Sequence, residues 1–296
     1  MSTAVQSIAG SNKRTIVRST PLSARGVRLW FRVISALAPA TAERQAAVIF
    51  LTPRRRKAHD VMAVPEGANR VHMNYGGFRL VGWEWGVGIK PVVLLVHGWS
   101  GLAKDMESLA HALVDEGFRA VAFDMPAHGK SPGRRTSMLE WVHALKATEH
   151  WAGGLAGVLG HSFGATAVTL ALEEGMQAPR ALLMSPAPGP MHYVDKIRRF
   201  IGLPASRVPG MVRSLERQVG RAIPHFEGAR AAKSLKLPVL VLHDPEDSEV
   251  PWEHVQDMIG AWRGSRLETR PGLGHYRILA DKPTSDVAAA FLAGRT

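Results

Sequence analysis

Short apolar runs alternate with helix-forming stretches from residue 91 to the end of this chain. Strands are predicted at residues 91–96, 119–123, 157–159, 181–185, 238–243 and 266–269. Helices are predicted at residues 105–116, 137–151, 163–174, 252–262 and 285–293. Strands that alternate with helices form a mostly parallel sheet covered by helices on both faces. The sequence therefore predicts the α/β class.

Two stretches depart from this alternation. Residues 70–85 alternate polar and apolar side chains and contain Gly76-Gly77, which predicts an antiparallel hairpin at the start of the sheet. Between residues 186 and 235 the strand signals stop, and so long a stretch is not expected to be a bare loop. We predict helices there at 193–201 and 212–222.

The domain organisation follows from these departures. Residues 1–66 are interpreted as a basic N-terminal extension that is partly helical or disordered. One catalytic domain is formed by 67–185 and 236–296, and 186–235 is a helical cap inserted into it. A chain of 296 residues with 46% hydrophobic side chains buries a full core in one such domain.

The chain carries a net charge of +12, and much of the excess lies in the N-terminal extension and around residues 196–221. A run of four basic residues occupies 54–57. A positive field attracts anions without specifying which one, and we interpret this charge as solvated surface rather than a polyanion site. No basic patch interleaved with aromatic residues, helix-turn-helix or zinc-finger pattern is present, so no specific nucleic-acid partner is expected.

Membrane association is not favoured by the sequence. No run reaches the roughly 18 to 20 apolar residues that a spanning helix needs. Residues 29–40 are interpreted as part of an amphipathic helix rather than a signal peptide, because Arg32 interrupts the apolar stretch. Contact of the extension with a membrane surface is a minor alternative, and a cytoplasmic protein is expected.

The absence of cysteine narrows the chemistry. It excludes disulfides, thiolate nucleophiles and cysteine-ligated metal sites. The sequence contains neither an H-E-x-x-H helix nor a dinucleotide-binding glycine motif in the right context, so no metal and no cofactor are expected. Covalent chemistry must therefore use oxygen or nitrogen nucleophiles.

The sequence Gly160-His-Ser162-Phe-Gly164 lies between a predicted strand and a predicted helix. In this context a G-x-S-x-G sequence forms a sharp turn that exposes the serine hydroxyl above the sheet, and glycines flank it because side chains there would collide. The helix N-terminus then directs N–H groups at developing negative charge. Ser162 is therefore the candidate nucleophile; a serine that only caps the helix is the simpler alternative.

A serine hydroxyl needs a base and an acid that orients the base. The loop after the strand at 238–243 contains Asp244, Glu246 and Asp247. We select Asp247, because it lies a short loop beyond the strand, and keep Asp244 and Glu246 as alternatives. His275 follows the last predicted strand in a glycine-rich loop, which makes it the candidate general base.

An oxyanion hole is predicted at the end of an earlier strand. His97-Gly98-Trp99 follows the strand at 91–96, where the N–H of Trp99 can act together with the N–H of Phe163. We expect the side chain of His97 to bond to backbone groups, and Asp124 and His128 to stabilise their own loop. His161 is expected to pack away from the serine hydroxyl.

These motifs together resemble the α/β-hydrolase superfamily over residues 71–296. The landmarks, in the same order as in that family, are His97-Gly98-Trp99, residues 124–129, residues 160–164, Asp247 before Val250-Pro251, and Gly274-His275. The resemblance implies the α/β-hydrolase fold, a triad of Ser162, His275 and Asp247, and a cap that shapes an acyl or alcohol pocket. It offers no role for the long basic extension.

The expected function is a serine hydrolase acting on the carboxylic ester of an apolar small molecule. Met191, Tyr193 and Phe200 of the cap are candidate substrate-binding residues, with Ile201 and Met211 as further apolar material, although all five can equally form the cap's own core. The same fold also supports thioesterase, amidase, lactonase, carbon–carbon hydrolase and cofactor-free haloperoxidase chemistry. A serine at the turn disfavours haloalkane dehalogenase and epoxide hydrolase. A noncatalytic protein that docks through its basic extension is the alternative of a different class.

Overall fold

The computed structural model describes residues 22–295, with side chains from residue 25. The eight strands are β1 (Ala68–Tyr75), β2 (Phe78–Trp85), β3 (Val92–Val96), β4 (Arg119–Phe123), β5 (Gly157–His161), β6 (Ala181–Met184), β7 (Val239–His243) and β8 (Ser265–Thr269). The α-helices are α1 (Leu22–Leu37), α2 (Pro39–Phe50), α3 (Ala58–Met62), α4 (Glu107–Asp115), α5 (Met138–Ala152), α6 (Phe163–Glu173), α7 (Pro190–Ile201), α8 (Val208–Val219), α9 (Gly228–Ala232), α10 (Trp252–Ala261), α11 (Gly274–Arg277) and α12 (Lys282–Leu292). Short 3-10 helices lie at Ala103–Met106, Ala205–Arg207 and Ile223–Phe226.

The strands form one sheet in the order β1-β2-β4-β3-β5-β6-β7-β8. β1 and β2 form the predicted antiparallel hairpin, and β2 also runs antiparallel to β4. All other neighbouring pairs are parallel. The mostly parallel sheet that the alternation of strands and helices predicts is therefore confirmed, and it brings the carboxyl ends of β3 to β8 to one edge.

Each face of the sheet buries its own apolar cluster. α5, α6 and α10 cover one face around Trp141, Val168 and Met258. α4 and α12 cover the other face around Leu109 and Phe291. The central strands are buried on both sides, and all five residues of β3 are inaccessible, as expected for a parallel strand inside an α/β core.

A third apolar cluster joins the N-terminal extension to the insertion after β6. α1 and α2 pack against α7 and α8, and Phe31, Ala46 and Met211 are buried between them. We call these four helices the helical cover. The part of the extension that the structure describes is thus mostly folded, and the predicted cap is only half of the cover. Residues 1–21, including the basic residues at 13, 14 and 18, lie outside the described residues.

The cover helices begin earlier than the sequence predicts. α7 begins at Pro190 rather than 193, because proline is well suited to the first turn of a helix. α8 runs from Val208 and ends before Gly220, which has a φ of 79° and stops the helix short of the predicted end at 222. In the described part of the chain, no helix is long and apolar enough to cross a membrane.

Candidate active site

Ser162 lies at a sharp turn between β5 and α6. Its backbone adopts φ 54° and ψ −122°, a strained conformation for a residue other than glycine. The flanking glycines are required by sterics: a Cβ on Gly160 would lie 2.6 Å from the Cα of Ala165, and one on Gly164 would overlap the carbonyl oxygen of His97. The turn therefore lifts the Ser162 hydroxyl off the sheet while α6 starts directly behind it.

The structure brings the three predicted side chains together. The Oγ of Ser162 lies 2.9 Å from the Nε2 of His275, and the Nδ1 of His275 lies 2.8 Å from the Oδ2 of Asp247. These distances fit a hydroxyl that donates to Nε2 and an Nδ1–H that donates to the carboxylate. All three residues are buried, with 8% of Ser162 exposed. The arrangement has the geometry in which a base can activate a hydroxyl.

Asp247 is held as a carboxylate. Its Oδ1 accepts hydrogen bonds from the backbone N–H groups of Glu249 and Val250, at 2.7 and 3.1 Å. Burial by itself raises the pKa of Asp247, but the hydrogen bond and charge of His275, together with those two amides, lower it to about 2. Asp247 is therefore ionised wherever His275 is neutral and able to accept a proton.

The alternative acid Asp244 has a different set of partners. Its Oδ1 accepts from the N–H of Glu246 at 2.9 Å, and its Oδ2 accepts from the N–H of Gly274 at 2.5 Å. It therefore ties the loop after β7 to the loop that carries His275. No hydrogen bond joins Asp244 or Glu246 to His275 within the described residues, so Asp247 is the carboxylate that the structure brings to the imidazole.

His161 contacts the base rather than the nucleophile. Its Nε2 lies 2.8 Å from the carbonyl oxygen of His275, and the two imidazole rings are 4.7 Å apart. Burial, together with the nearby charge of His275, lowers the pKa of His161 to about 3. It is therefore a neutral side chain whose Nε2–H donates to the backbone of His275. The expectation of packing away from the hydroxyl omitted this contact.

Two backbone N–H groups are candidates for the oxyanion hole: that of Trp99, in the loop after β3, and that of Phe163, the first residue of α6. A Cβ on Gly98 would lie 3.0 Å from the Nδ1 of His161 and 3.1 Å from the Cβ of Ser162, so glycine lets this backbone approach the serine closely without crowding. The N–H of Trp99 donates to no other backbone or side-chain group in the described part of the chain, and the N–H of Phe163 belongs to the first helical turn, which leaves it without an intrahelical partner. Both are available to an oxyanion beside Ser162.

Buried histidines hold this loop in place. The Nε2 of His97 accepts from the N–H of Met125 at 3.0 Å, and the Nε2 of His128 accepts from the N–H of Ser100 at 2.9 Å. Burial lowers the pKa of His97 to about 4 and that of His128 to about 3, so both accept as neutral rings. Asp124 bonds to the N–H groups of Ala103 and Lys130. These contacts match the structural roles expected for the three side chains.

Ser162 and His275 open into a cavity of about 780 Å³. Its walls are mostly apolar, and they come from the catalytic domain, from α7 and α8, and from the end of α2: Phe50, Leu51, Met138, Phe163, Ile197, Leu215, Val219, Ile223, Phe226 and Leu279. A cavity of this size and lining is typical of sites for small apolar molecules.

Only one of the three candidate substrate-binding residues lies at the cavity. Tyr193 lines the cavity. Met191 and Phe200 do not line it and are 44% and 49% exposed, so the structure does not place these two side chains at the cavity. Two residues along a helix correspond to about 200°, which turns Met191 away from the face of Tyr193, and Phe200 lies two turns further on, beside Arg54. Ile201 and Met211 are buried in the core of the helical cover, as the alternative interpretation allowed.

The N-terminal extension also contributes to the cavity, which the sequence did not predict. Phe50 and Leu51 form part of its apolar wall, and Arg54, Arg55, Arg56 and Lys57 line it as well. The only local signal is the amphipathic pattern of α2, whose alanines at 42, 46 and 47 form a narrow buried stripe. That pattern predicts a packed helix, but it does not say against what.

Comparisons with known proteins give the same fold. The profile of the alpha/beta hydrolase family matches residues 93–290. The bifunctional esterase/perhydrolase DCH of Acinetobacter calcoaceticus is 24% identical over an alignment of 218 positions, which covers 57% of this chain and 79% of that protein. The non-heme haloperoxidase of Rhodococcus erythropolis is 24% identical over an alignment of 249 positions, which covers 65% of this chain and 87% of that protein.

Solved structures with this architecture include esterases. An esterase of Pyrococcus furiosus superposes with a TM-score of 0.59 at 23% identity, covering 83% of this chain and 97% of its own. Est1E of Butyrivibrio proteoclasticus, solved with ferulic acid bound, superposes with a TM-score of 0.60 at 19% identity, covering 76% and 98%. At these identities the likeness concerns the fold.

Proposed function

This chain belongs to the alpha/beta hydrolase family, and on that premise we propose that it is a serine hydrolase that cleaves a carboxylic ester of an apolar small molecule through an acyl-enzyme intermediate. The observation that carries the proposal is the hydrogen-bonded series from Ser162 through His275 to Asp247, which opens into a largely apolar cavity. The esterase activities in the names of relatives support it at the level of the reaction class.

The mechanism begins with proton transfer. His275 Nε2 takes the hydroxyl proton of Ser162 as Oγ attacks the ester carbonyl carbon, and Asp247 stabilises the resulting imidazolium. The N–H groups of Trp99 and Phe163 donate to the oxygen that becomes negatively charged. The imidazolium then gives its proton to the departing alkoxide, which leaves Ser162 acylated. Water, deprotonated by His275, cleaves the acyl-enzyme and restores the serine.

His161 and Asp244 hydrogen-bond to the backbone of the loop that carries the general base, His275. Neither touches the reacting atoms: His161 donates to the carbonyl oxygen of His275, and Asp244 accepts from the N–H of Gly274. Together they fix the loop of His275 from two sides. We assign both as positioning residues for the general base.

Perhydrolysis is a second candidate activity. The relatives include an esterase/perhydrolase and two non-heme haloperoxidases. In this reaction hydrogen peroxide, instead of water, attacks the acyl-enzyme and releases a peracid, while His275 takes the peroxide proton. Oxidation of bromide in the presence of a carboxylic ester and hydrogen peroxide, lost in Ser162→Ala, measures this activity. Thioesterase, amidase and lactonase reactions use the same groups and enter the same substrate screen.

The first test identifies the nucleophile without a choice of substrate. Intact mass is measured after treatment with a fluorophosphonate, for the wild type, Ser162→Ala and heat-denatured protein. We expect one adduct on the folded wild type and none on the other two, because stable phosphonylation needs an activated serine. Ser234→Ala, an exposed serine far from the site, is the matched control and should label normally.

The outcomes separate the proposal from its alternative. An adduct that persists in Ser162→Ala overturns the assignment of the nucleophile. A folded wild type that neither labels nor hydrolyses any ester, but is retained on DNA or anionic vesicles in a salt-dependent way, favours the noncatalytic binding alternative.

A further inference from the structure

We propose that the N-terminal extension supplies an anion-binding subsite of the active-site cavity, in which Arg54, Arg55 and Lys57 bind a carboxylate or phosphate carried by the ester substrate. Residues 54–57 are called the basic strip below. This inference rests on the proposed function, since it concerns the substrate of the same serine. It assigns to the extension a specificity role that neither the charge run nor the family fold gives it.

The basic strip and Ser162 share one cavity. All four residues of the strip line the space into which Ser162 and His275 open. Burial and the charges of Glu249 and Asp247 raise the pKa of Tyr276, and the positive charges of Arg54 and Arg56 oppose that rise to a smaller extent. The ring of Tyr276 is 4.9 Å from the ring of His275. The positive charge of the strip therefore reaches the surroundings of the general base.

The strip is fixed to the catalytic domain. The N–H of Arg54 donates to the Oγ of Ser100 at 2.9 Å, and Ser100 directly follows Trp99, a predicted oxyanion donor. Three residues earlier, the carbonyl oxygen of Leu51 accepts from the N–H of Thr136 at 2.9 Å. Pro53 between these two ties is buried. The backbone of the strip is thus held in a set position relative to the loop that binds the oxyanion.

The positive charge of the strip is only partly neutralised within the described residues. Arg56 lies 3.6 Å from Asp60 and 3.9 Å from Asp105, so it is paired. Glu249, the other acidic residue that lines the cavity, is paired with Lys196 at 2.9 Å. No carboxylate of the described chain lies within 4.0 Å of the charged groups of Arg54, Arg55 or Lys57. Arg54 lies over the ring of Phe200 at 5.6 Å, and these three exposed cations have no ionic partner within the described residues.

This combination of surfaces identifies a class of substrate. The apolar wall accepts a hydrocarbon portion, and Arg54, Arg55 and Lys57 line the same cavity. Arg54 and Arg55 also line a neighbouring pocket, so they stand at the rim between the two. Guanidinium groups bind carboxylate and phosphate oxygens through paired N–H donors. The inference narrows the apolar ester of the proposed function to one whose apolar portion also carries an anionic group. The substrate class is an amphiphilic ester with an anionic oxygen-bearing group on one side of the scissile bond.

The test compares esters that differ in charge but not in shape. One pair places the charge on the alcohol side: the octanoyl esters of para-hydroxybenzoate and para-hydroxybenzamide. The other pair places it on the acyl side: the para-nitrophenyl monoesters of suberic acid and of suberic acid monoamide. The octanoyl ester of para-hydroxyphenyl phosphate replaces carboxylate by phosphate. The measured quantity is the ratio of kcat/KM for the anionic ester to that for its neutral partner.

Two variants are compared with the wild type. Arg54→Gln/Arg55→Gln/Lys57→Gln removes the three unpaired cations of the strip. Lys233→Gln/Lys236→Gln/Arg263→Gln removes three exposed cations that do not line the cavity and is the matched control. We expect the ratio for at least one pair to fall by roughly tenfold in the first variant, mainly through KM, and to stay within about twofold in the control. The phosphate ester shows which anion the strip prefers.

Salt provides a readout without mutation. The wild-type ratio should fall as sodium chloride rises from about 0.02 to 0.5 M, because exposed ion pairs are screened. Hydrolysis of the neutral esters with no preference for either anionic ester, or a ratio that the strip variant and salt leave unchanged, overturns the inference alone. Absence of hydrolysis of every ester by folded wild type overturns the proposed function, and the inference with it.

Discussion

The loops at the strand ends and the helical cover line the same cavity, but different kinds of interaction determine their structures. Each strand-end residue has a local requirement: glycines 160 and 164 have no room for a side chain, and Ser162 needs a left-handed backbone. The cover depends instead on contacts between distant segments. The Nε of Arg28 donates to the carbonyl oxygen of Phe200, 172 residues away in the chain.

This difference separates the chemistry from the choice of substrate. The strand-end loops are tied by hydrogen bonds from backbone N–H groups to the buried or half-buried side chains of Asp105, Asp124 and His97, so their geometry tolerates little change. The cover contributes side chains from three of its helices, α2, α7 and α8, to one cavity wall, and none of these side chains bonds to Ser162 or His275 in the described residues. Substitutions at the strand ends should therefore reduce kcat or the free energy of unfolding, whereas substitutions in the cover should change KM.

The two acids after β7 give the largest contrast within the strand-end loops. Asp247→Asn should lower kcat by about 10⁴-fold, because a neutral amide no longer stabilises the imidazolium or selects its tautomer. Asp244→Asn keeps an acceptor oxygen for one of its two N–H partners, and kcat should fall by no more than about tenfold. Steady-state kinetics on one ester, with melting temperatures for both variants, make the comparison.

The reverse order would move the catalytic acid to Asp244. Equal losses in the two variants would mean that the loop acts as one unit, with the charge of Asp247 of no special importance. Either result contradicts the assignment of Asp247.

The next largest effect is expected at the turn that carries Ser162, where the backbone leaves no room for an added side chain. Gly164→Ala places a methyl group onto the carbonyl oxygen of His97, and we expect a loss of about 3 kcal/mol in the free energy of unfolding. Gly260→Ala is the matched control: it lies in α10 with open space around the added carbon, and should gain about 0.5 to 1 kcal/mol. Urea denaturation measures both. Similar values for the two would show that the turn is not sterically closed.

The strand-end region was largely predictable from sequence, because its signals are local. The pattern around Ser162 and the strand before it predict the turn, and β4 has the boundaries that the pattern indicates. The hydrogen bonds that each loop makes with other loops could not be predicted from these local patterns. That His161 donates to the backbone of His275 depends on how two loops from different strands meet, which no short pattern describes.

The cover was predicted only in part, for a physical reason. The apolar side chains of α7 spread over one broad face of the helix, so its pattern did not separate Tyr193 from Met191. A run of charges has no period, and the place of residues 54–57 depends on the packing of α2 against α8. The catalytic roles, the substrate and the cytoplasmic location stay predictions.

Protonation of buried histidines tests the strand-end loops without a change in the active serine. His97, His128 and His161 have pKa values lowered to about 3 to 4 by burial, whereas an unfolded chain takes up these protons near pH 6.5. The unfolded state therefore binds more protons as the pH falls below 6.5. The free energy of unfolding should decrease from there towards pH 4, by about 1.4 kcal/mol per pH unit for each histidine.

His161→Gln isolates one of these contributions. The amide keeps a donor for the carbonyl oxygen of His275. The free energy of unfolding should then change less steeply between pH 6 and 4.5, by about 1.4 kcal/mol per pH unit, because one proton fewer is taken up on unfolding. His150→Gln, at an exposed position on α5, should leave the slope unchanged. Urea denaturation at several pH values measures it; a slope equal to wild type in His161→Gln would show that this ring takes up its proton in the folded state as well.

The smallest effect on the kinetic constants is expected in the helical cover. It tests whether the cover affects substrate binding alone. Tyr193→Ala removes cavity wall that touches no reacting atom, so KM for an octanoyl ester should rise by about tenfold while kcat stays within twofold. Met191→Ala on the same helix should change neither constant, because its side chain faces solvent. A fall in kcat for Tyr193→Ala would mean that the cover positions the ester carbonyl, and the division between chemistry and substrate choice would then fail at α7.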